Sequence, residues 1–400
     1  MRIGIDYTSA AHQGAGIGRV TRQIVRALAD IDRQNEYVLL IRGRELPAQL
    51  SGHRHLPEVT DPRNVASGIP NANVREVRTW LNERWWNRIW YRLCLPLPVE
   101  WAIGPVDVFH APDFTLPPVR RGTRTVVTVH DLSFLHLPHC FEPALLAYLT
   151  VHVPRAVQRA DRVLADSEST RQDVIALLHV PAGRVHTVYP GVEPRFRPID
   201  DARELERVRH KYDLPRRFIL SVGTIQPRKN YGGRIEAFAR LRARDVSLAI
   251  VGGRGWLYEG IFQKVHDLHL QERVLFPGFV DDADLPTLYN LAEVFVLPSL
   301  CEGFGLPLLE AMACGTPVVA ANNSSLPEAV GEAGLLVDAH DTEALCDALA
   351  RLLDDAALRQ TLIQRGRSQA ARFTWARAAR ALLETYQVLC PNTSPCSSSC

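Results

Sequence analysis

The stretch VFVLPSLCEGFGLPLLEAMACGTPVVAAN, residues 294–322, contains two short β-branched runs separated by a glycine-containing turn and an apolar helical pattern. This order predicts a βαβ unit, whose two strands are parallel and lie buried in one sheet. Two carboxylates, Glu302 and Glu310, stand on either side of the Gly-Phe-Gly turn. An acid in the first helical turn complements the helix dipole, but a second acid just outside that turn adds no cap. One of the two glutamates therefore needs another explanation.

The same alternation of strand and helix patterns continues outward along both halves of the chain. Such alternation predicts βαβ units, and hence an α/β fold with two parallel sheets. The predicted strands of the first half are 2–7, 36–42, 107–111, 124–131, 161–167 and 184–191, and those of the second half are 217–224, 246–253, 273–279, 294–299, 316–322 and 334–338.

The domain organisation follows from length and from one proline-rich segment. A chain of 400 residues exceeds the size at which a single hydrophobic core usually stops growing, so two domains are expected. The segment YPGVEPRFRPIDD contains three prolines and no helical period, which places the hinge near residues 190–201. We expect a first domain over 1–191 and a second over 202–372. The low-complexity stretch 391–400 predicts a disordered tail.

The composition is that of an ordinary globular protein, with 46% hydrophobic and 22% charged residues. Lys and Arg number 46 against 44 Asp and Glu, so the net charge of +2 gives no reason to expect a nucleic-acid partner. The N-terminal MRIGIDYTSA is too short and too polar for a signal peptide, and no window of about 18 residues is uninterruptedly apolar. A cytoplasmic location is therefore expected.

Polar residues follow several predicted strands, at the edge where parallel sheets bind ligands. HQGAGIGRV, residues 12–20, could present backbone amides to a phosphate or could be a structural turn. It fails as a dinucleotide fingerprint because Arg19 occupies the third glycine position. His130 in TVHDLSF could be catalytic or could cap the next turn. Arg228 and Lys229 in GTIQPRKNYGG could neutralise a diphosphate or could simply be solvated.

The two glutamates of the opening stretch can be explained together. The helix after the turn is predicted to start near Leu306 or Pro307, and its free amides suit a phosphate. A phosphate would repel a carboxylate at Glu302, so Glu302 is better explained by contact with hydroxyl groups, such as those of a sugar. Glu310 in the first helical turn could accept hydrogen bonds from a ribose. The combination predicts a nucleotide-sugar site.

These motifs resemble the signature of a known enzyme family. Glu302 and Glu310 with seven residues between them, the GFGLP turn, EAMACGTPVVA and SSLPEAVG together resemble the family 4 retaining glycosyltransferases (group 1), and the chain looks mannosyltransferase-like. GAGIGR, VHDLSF, PRKN, PGVEPRFRP and FTWARAARALLETY follow in the family's order, so the resemblance covers most of the chain. It implies the GT-B architecture, in which two Rossmann-like domains face each other across a donor-binding cleft, the first on the acceptor side. It also implies that a C-terminal helix, 373–390, crosses back to the first domain.

The resemblance further implies which residues form the site. Its catalytic residues would be Glu302, holding hydroxyls of the transferred sugar, and His130, lying beside that sugar. The implied donor-binding residues are Gly16 closing over the donor, Arg228 and Lys229 at the diphosphate, Phe279 and Val280 at the base, Gly303, Phe304, Gly305 and Leu306 at the sugar or phosphate, Glu302 at the sugar, and Glu310 at the ribose. Many relatives have an arginine where this chain has Thr224, so Arg228 would carry more of the diphosphate charge.

A retaining transfer fits the residue types present. The departing diphosphate can take the acceptor proton while an oxocarbenium-like centre develops, so no enzymic base is obligatory. Arg228 and Lys229 would stabilise the leaving group, a task that other transferases give to a metal. The acidic stretch DDAD, 281–284, is instead predicted to begin a helix. We therefore expect no metal and no cofactor besides the nucleotide-sugar co-substrate.

The segment 78–101 holds five of the seven tryptophans and four interleaved arginines. Tryptophan with arginine suits an interface with lipid headgroups or with an acceptor, and the spacing allows an amphipathic helix. The alternative is a core helix packed beneath the strand at 107–111. The first interpretation would place the protein peripherally at the inner face of the cell membrane.

We therefore predict a retaining hexosyltransferase, with mannose from GDP-mannose as the preferred donor on the resemblance and a glycan or lipid-linked saccharide as acceptor. Three alternatives stay open: a transferase of the same fold that uses UDP-glucose or UDP-N-acetylglucosamine, a nucleotide-sugar epimerase, and a non-catalytic nucleotide-sugar-binding protein. An NAD-dependent oxidoreductase is disfavoured by the broken fingerprint at Arg19. Glu302→Ala is predicted to remove turnover and leave the fold intact.

Overall fold

The computed structural model describes residues 1–14, 16–43, 69, 73–93 and 95–391. The strands of these residues form two wholly parallel sheets, one of seven strands in the first half of the chain and one of six in the second. The predicted α/β class with two parallel sheets is confirmed. The predicted tail at 391–400 lies outside the described residues except for its first residue.

The strands coincide closely with the apolar runs of the sequence. The first sheet contains β1 (Arg2–Asp6), β2 (Glu36–Arg42), β3 (Val74–Thr79), β4 (Val108–Ala111), β5 (Arg124–Val129), β6 (Arg162–Ala165) and β7 (Val185–Thr187). The second contains β8 (Phe218–Val222), β9 (Ser247–Val251), β10 (Val274–Gly278), β11 (Val294–Leu297), β12 (Val318–Ala321) and β13 (Leu335–Val337). Among the strands of the described residues, β3 alone was not predicted. Its sequence VREVRT is charged, which the partly exposed side chains of an edge strand permit.

Helices cover both faces of each sheet, as parallel sheets require. Those before the hinge are α1 (Thr8–His12), α2 (Ile17–Ile31), α3 (Glu83–Asn87), α4 (Glu100–Ile103), α5 (Ser133–His136), α6 (Pro143–Arg159) and α7 (Glu168–Leu178). Those after it are α8 (Ala202–Lys211), α9 (Tyr231–Arg240), α10 (Glu259–Asp267), α11 (Leu285–Leu291), α12 (Leu306–Cys314), α13 (Leu326–Val330), α14 (Thr342–Asp354), α15 (Ala356–Ala370) and α16 (Trp375–Leu389).

The order of the strands locates the ligand-binding edge of each sheet. The first sheet has the order β3-β2-β1-β4-β5-β6-β7, and the second has the order β10-β9-β8-β11-β12-β13. Each order reverses beside its first strand, between β1 and β4 and between β8 and β11. Open parallel sheets bind ligands at such a switch point, beyond the carboxyl ends of the strands.

The C-terminal helix α16 belongs to the layers around the first sheet. It packs against α2, and its buried residues share one apolar cluster with β1 and β2. The Tyr386 hydroxyl hydrogen-bonds Nδ1 of His110 in β4 at 2.7 Å. The chain returns beside the hinge, where Val192 and Thr374 form an isolated parallel bridge. The hinge therefore runs beside the segment that leads into α16, where the chain returns to the first domain.

The tryptophan-rich segment 78–101 is partly core and partly exposed. Trp86 and Trp90 are buried in the core of the first domain and stack with ring centroids 4.4 Å apart. Trp80, Trp85 and Trp101 are instead 76%, 51% and 66% exposed. Trp86 and Trp90 therefore pack the segment into the core, and the other three indoles are exposed. Among the described residues, no helix combines the length and apolarity needed to cross a bilayer.

Candidate active site

Glu302 lies at the centre of a buried charge cluster at the switch point of the second sheet. It follows β11, and its carboxylate accepts hydrogen bonds from Lys229 Nζ at 2.6 Å and from Arg228 Nη1 at 3.1 Å. Burial alone would raise the pKa of Glu302, but Lys229 and Arg228 outweigh it and lower that pKa to about 2. The structure therefore brings together the carboxylate and the two cations singled out in the sequence, with the carboxylate ionised.

Local structure fixes the two cations in place. They lie in a single 3-10 turn, Pro227–Lys229, in the segment that follows β8. The turn ends at Asn230 in the left-handed conformation, with φ of 53°. The Asn230 side-chain amide donates to the carbonyls of Pro298 and Ala339, which ties the turn to the loop after β11. Neighbouring strand ends thus hold opposite charges against each other.

The helix that follows Glu302 begins and ends as its sequence indicates. Helix α12 has a proline in its first turn, where a missing amide costs nothing, and ends at Gly315 with φ of 86°. Gly305 precedes it with φ of 99°, a conformation that favours glycine. Phe304 before it is buried in the core of the second domain, and Leu306 opens the helix. The positive end of α12 therefore lies next to the Glu302 cluster.

Glu310 has partners different from those of Glu302. It is buried on α12 and accepts a hydrogen bond from the Tyr289 hydroxyl at 2.9 Å. Its other oxygen pairs with Arg19 Nη1 at 2.8 Å. Burial raises the pKa of Glu310, and Arg19 opposes that rise. In the sequence Arg19 was only the break in a glycine pattern; in the structure it spans from α2 to Glu310 and to Glu193 of the hinge.

His130 is buried with both ring nitrogens engaged by acceptors. Its Nδ1 lies 2.7 Å from Asp166 Oδ2 and its Nε2 lies 2.8 Å from the Pro112 carbonyl oxygen. Burial lowers its pKa, but Asp166 more than compensates and raises it to about 9. The ring is therefore a doubly protonated imidazolium that donates on both sides. The sequence did not indicate Asp166, although β5 and β6 pair at Val129 and Ala165, immediately before the two residues.

The two domains touch at the Glu302 loop. The backbone carbonyl of His130 lies so close to Gly303 that a Cβ added at Gly303 would be nearer than 3.0 Å, a separation that real Cβ atoms essentially never show. Thr170 Oγ1 bridges both sides, donating to the His130 and Gly303 carbonyls at 3.3 and 3.4 Å. The carboxylate of Glu328 accepts hydrogen bonds from the first amides of α7. The two halves of the site are therefore in direct contact.

The remaining candidates are Gly16, Phe279 and Val280. Gly16 caps α2 with φ of 59°, and a Cβ built there meets nothing within 4 Å. Phe279 is 59% exposed, whereas Val280 beside it is buried. A Cβ built at Gly14 would lie 3.9 Å from the Phe279 ring. The glycine turn of the first domain therefore approaches the loop that is expected to contact the nucleotide base. In the described part of the chain, no group of three or more His, Cys, Asp or Glu is arranged to hold a metal ion.

The protonation of His130 gives a prediction about pH. The pKa of His130 is about 9 in the folded protein and 6.5 ordinarily. The protonated ring therefore stabilises the folded state fully below pH 6.5, and this stabilisation is lost as the pH rises through 9. We expect wild type to lose on the order of 3 kcal/mol more stability between pH 6.5 and 9.5 than Asp166→Asn, which lacks the pairing carboxylate. Urea unfolding of both proteins across this range measures the difference. Parallel pH profiles would contradict the charged pair.

Each half of the chain matches a known protein family. Residues 202–369 match the family described as "Glycosyl transferases group 1", and residues 14–196 match "Glycosyltransferase Family 4". The O-antigen chain mannosyltransferase B of Escherichia coli is 32% identical over 94% of this chain and 96% of its own length. A D-inositol 3-phosphate glycosyltransferase of Salinispora arenicola is 38% identical over 95% of this chain and 90% of its own.

A solved structure shares the fold at low identity. Anabaena HepE in complex with UDP and glucose superposes with a TM-score of 0.73 at 19% identity, covering 97% of this chain and 99% of that chain. The two parallel-sheet domains are thus those of a GT-B glycosyltransferase, as the resemblance implied. From both domain matches and from the full-length relatives, the chain belongs to the group 1 glycosyltransferases, with a first domain of the family 4 type.

Proposed function

We propose that this glycosyltransferase transfers mannose from GDP-mannose, with retention of configuration, to a glycan or a lipid-linked saccharide. The observation that carries the proposal is the Glu302 cluster: an ionised carboxylate for sugar hydroxyls, held against two cations for a diphosphate. The full-length likeness to an O-antigen mannosyltransferase supports mannose. A UDP-sugar is the second candidate, because HepE, which shares the fold, was solved with UDP and glucose.

The proposed reaction needs no additional base. The bond between the sugar C1 and the diphosphate oxygen breaks, a bond from C1 to the acceptor oxygen forms on the same face, and the acceptor proton passes to the departing diphosphate. Arg228 and Lys229 meet the charge that develops on the diphosphate, with the amides at the start of α12 nearby. In this proposal these cations take the role that other transferases give to a metal.

A donor panel tests the proposal. At saturating concentration GDP-mannose should raise the melting temperature by several degrees, and more than UDP-glucose, UDP-N-acetylglucosamine or NAD, because a ligand of the folded state stabilises it. Lys229→Met should abolish the rise, since it removes a diphosphate cation from the cluster. Lys264→Met is the matched control, because Lys264 pairs with Glu236 on the outside of the second domain.

Each outcome of the panel has a meaning. A rise with a UDP-sugar alone would replace mannose by the second candidate. A rise without release of nucleoside diphosphate, when alkyl glycosides are offered as acceptors, would favour the non-catalytic binder. A rise with NAD alone would contradict the assignment of the site.

We further propose that the tryptophan-rich segment 78–101 contacts an anionic membrane surface, where a lipid-linked acceptor would be found. Trp80, Trp85 and Trp101 are largely exposed, and Arg88 lies 5.0 Å over the Trp85 ring. Indoles prefer the headgroup region, and arginines add attraction to acidic lipids. Leu93 in the same segment is 63% exposed as well.

Vesicle binding checks this contact. The triple variant Trp80→Ser, Trp85→Ser and Trp101→Ser should bind vesicles of acidic phospholipid about tenfold more weakly than wild type, because each interfacial indole lost weakens partitioning. Leu257→Ser with Val388→Ser is the matched control, since these side chains are similarly exposed elsewhere. Equal binding by the triple variant and wild type would contradict the contact.

A further inference from the structure

The first sheet has a switch point of its own, and no donor-binding residue discussed above follows either of its two strands directly. The switch point lies between β1 and β4, which pair from Ile3–Val108 to Ile5–His110. Ligands of open parallel sheets bind beyond the carboxyl ends of such strands. The residues that follow there are Ser9 on α1, after β1, and Asp113, after β4. Both therefore lie where the fold predicts a ligand.

The loop after β4 is tied to His130. The carbonyl of Pro112 takes the hydrogen bond from His130 Nε2, and the Phe114 amide donates to Thr128 in β5 at 3.1 Å. Phe114 adopts φ of 52°, which is uncommon for a bulky residue, and its ring meets the imidazole edge to face at 5.5 Å. Such backbone conformations concentrate at functional sites. The loop is thus held in one shape, with Asp113 between its two anchors.

The carboxylate of Asp113 is oriented on one side and open on the other. Its Oδ2 accepts a hydrogen bond from Ser9 Oγ at 2.8 Å, and Ser9 is buried. Within the described residues, Oδ1 of Asp113 has no hydrogen-bond donor, and the side chain is only half-buried. A half-buried carboxylate with one fixed and one open oxygen is prepared to accept a hydrogen bond from a ligand.

The surroundings of Asp113 suit a neutral, hydroxylated ligand. The buried guanidinium of Arg42 is already paired with Asp6 at 3.2 Å and bonded to Asn87 at 2.8 Å. Burial raises the pKa of the Tyr148 hydroxyl, whose neighbours include Asp113 and Arg42. A carboxylate with an open oxygen near a neutral hydroxyl suits hydrogen bonds with the hydroxyl groups of a sugar. A phosphate would instead meet the open carboxylate and be repelled.

We propose that Asp113 binds the hydroxyl group of the saccharide acceptor that attacks the donor sugar. The inference rests on the proposed function and adds the acceptor side of that site. His130 connects the two sides: its ring bonds the carbonyl just before Asp113, and its own carbonyl lies against Gly303 in the donor loop. Asp113 orients the attacking oxygen, while the proton of that hydroxyl still passes to the departing diphosphate.

The test separates acceptor binding from donor binding. Release of nucleoside diphosphate is measured with the preferred nucleotide sugar against rising concentrations of octyl α-mannoside, octyl α-glucoside and octyl β-N-acetylglucosaminide. At least one should accelerate release by the wild type. Asp113→Asn should raise the half-saturating concentration of that glycoside about tenfold or more. The variant replaces the open carboxylate oxygen by an amide NH2 group, which cannot accept a hydrogen bond from the acceptor. Its donor-induced rise in melting temperature should equal that of wild type, because the proposal assigns no donor contact to Asp113.

A second variant distinguishes binding from support of the loop. Ser9→Ala removes the bond to Oδ2 but keeps the carboxylate, so it should change the half-saturating concentration much less than Asp113→Asn. The proposal is overturned if Asp113→Asn matches wild type at every glycoside concentration, if both variants weaken acceptor use equally, or if no glycoside accelerates wild type. The melting temperature reports donor binding separately. Failure of the wild type to bind any donor would refute the proposed function instead.

Discussion

Glu302→Gln is expected to lower the rate of sugar transfer about 100- to 1,000-fold, with the protein still folded. The carboxylate is buried, ionised and fixed by Arg228 and Lys229, so its charge is preorganised before any donor arrives. In the proposed site that charge would lie near a sugar centre that becomes positive as its bond to the diphosphate breaks. An amide keeps the shape and loses the charge. Steady-state release of nucleoside diphosphate measures the loss.

The matched control is Glu206→Gln, because the Glu206 carboxylate is 58% exposed and pairs only with neighbours on its own helix. Glu206→Gln should release nucleoside diphosphate at the wild-type rate. A Glu302→Gln enzyme with full turnover would remove Glu302 from the site, and with it the proposed chemistry.

The ion pairs add a stability cost that the sequence did not indicate. Removing Glu302 leaves Arg228 and Lys229 buried without their carboxylate, and breaking a buried pair costs about 3–5 kcal/mol. The melting temperature of Glu302→Gln should therefore fall. Sodium pyrophosphate should raise it more in the variant than in wild type, because the anion replaces the lost charge and meets no carboxylate. An equal effect on both proteins would argue against a diphosphate position at these cations.

The sequence predicted the strands well because buried parallel strands are continuous apolar runs, whose pattern is local. The positions of Glu302, Arg228 and Lys229 after strands made each of them a candidate. That the three share one donor site was implied by the family resemblance. The sequence could not show which groups pair across the fold. Asp166 meets His130 only because β6 lies next to β5, which is a property of strand order.

Arg19 illustrates the same limit. Its distance in sequence from Glu310 is large, and nothing in the glycine pattern around it indicates a carboxylate partner. The contact exists because α2 and α12 belong to different domains that meet across the cleft. Predicting it would have required the relative placement of two domains, which local patterns do not contain. The edge strand β3 was missed for a different reason, because its exposed face permits charges that hide a strand pattern.

Gly303→Ala is expected to lower turnover by about 100-fold or more with little change in the stability of each domain. A Cβ at position 303 would collide with the carbonyl oxygen of His130, so the donor loop could not approach the first domain. The backbone at Gly303 is not in the left-handed region, so alanine introduces no strain of its own. The loss would therefore come from the contact between domains. A misplacement on the order of 1 Å near reacting groups can cost about 100-fold in rate.

Gly260→Ala is the matched control, since a Cβ there meets nothing within 4 Å and the residue lies inside α10. Gly260 is the second residue of this helix, where alanine should be neutral or stabilising by at most about 0.5–1 kcal/mol. Turnover is measured for both variants. Small-angle scattering of both in the presence of donor reports whether the domains separate. Reduced turnover in Gly303→Ala with an enlarged radius of gyration would show that this contact assembles the site. Full turnover would contradict a role for the contact between Gly303 and His130 in assembling the site.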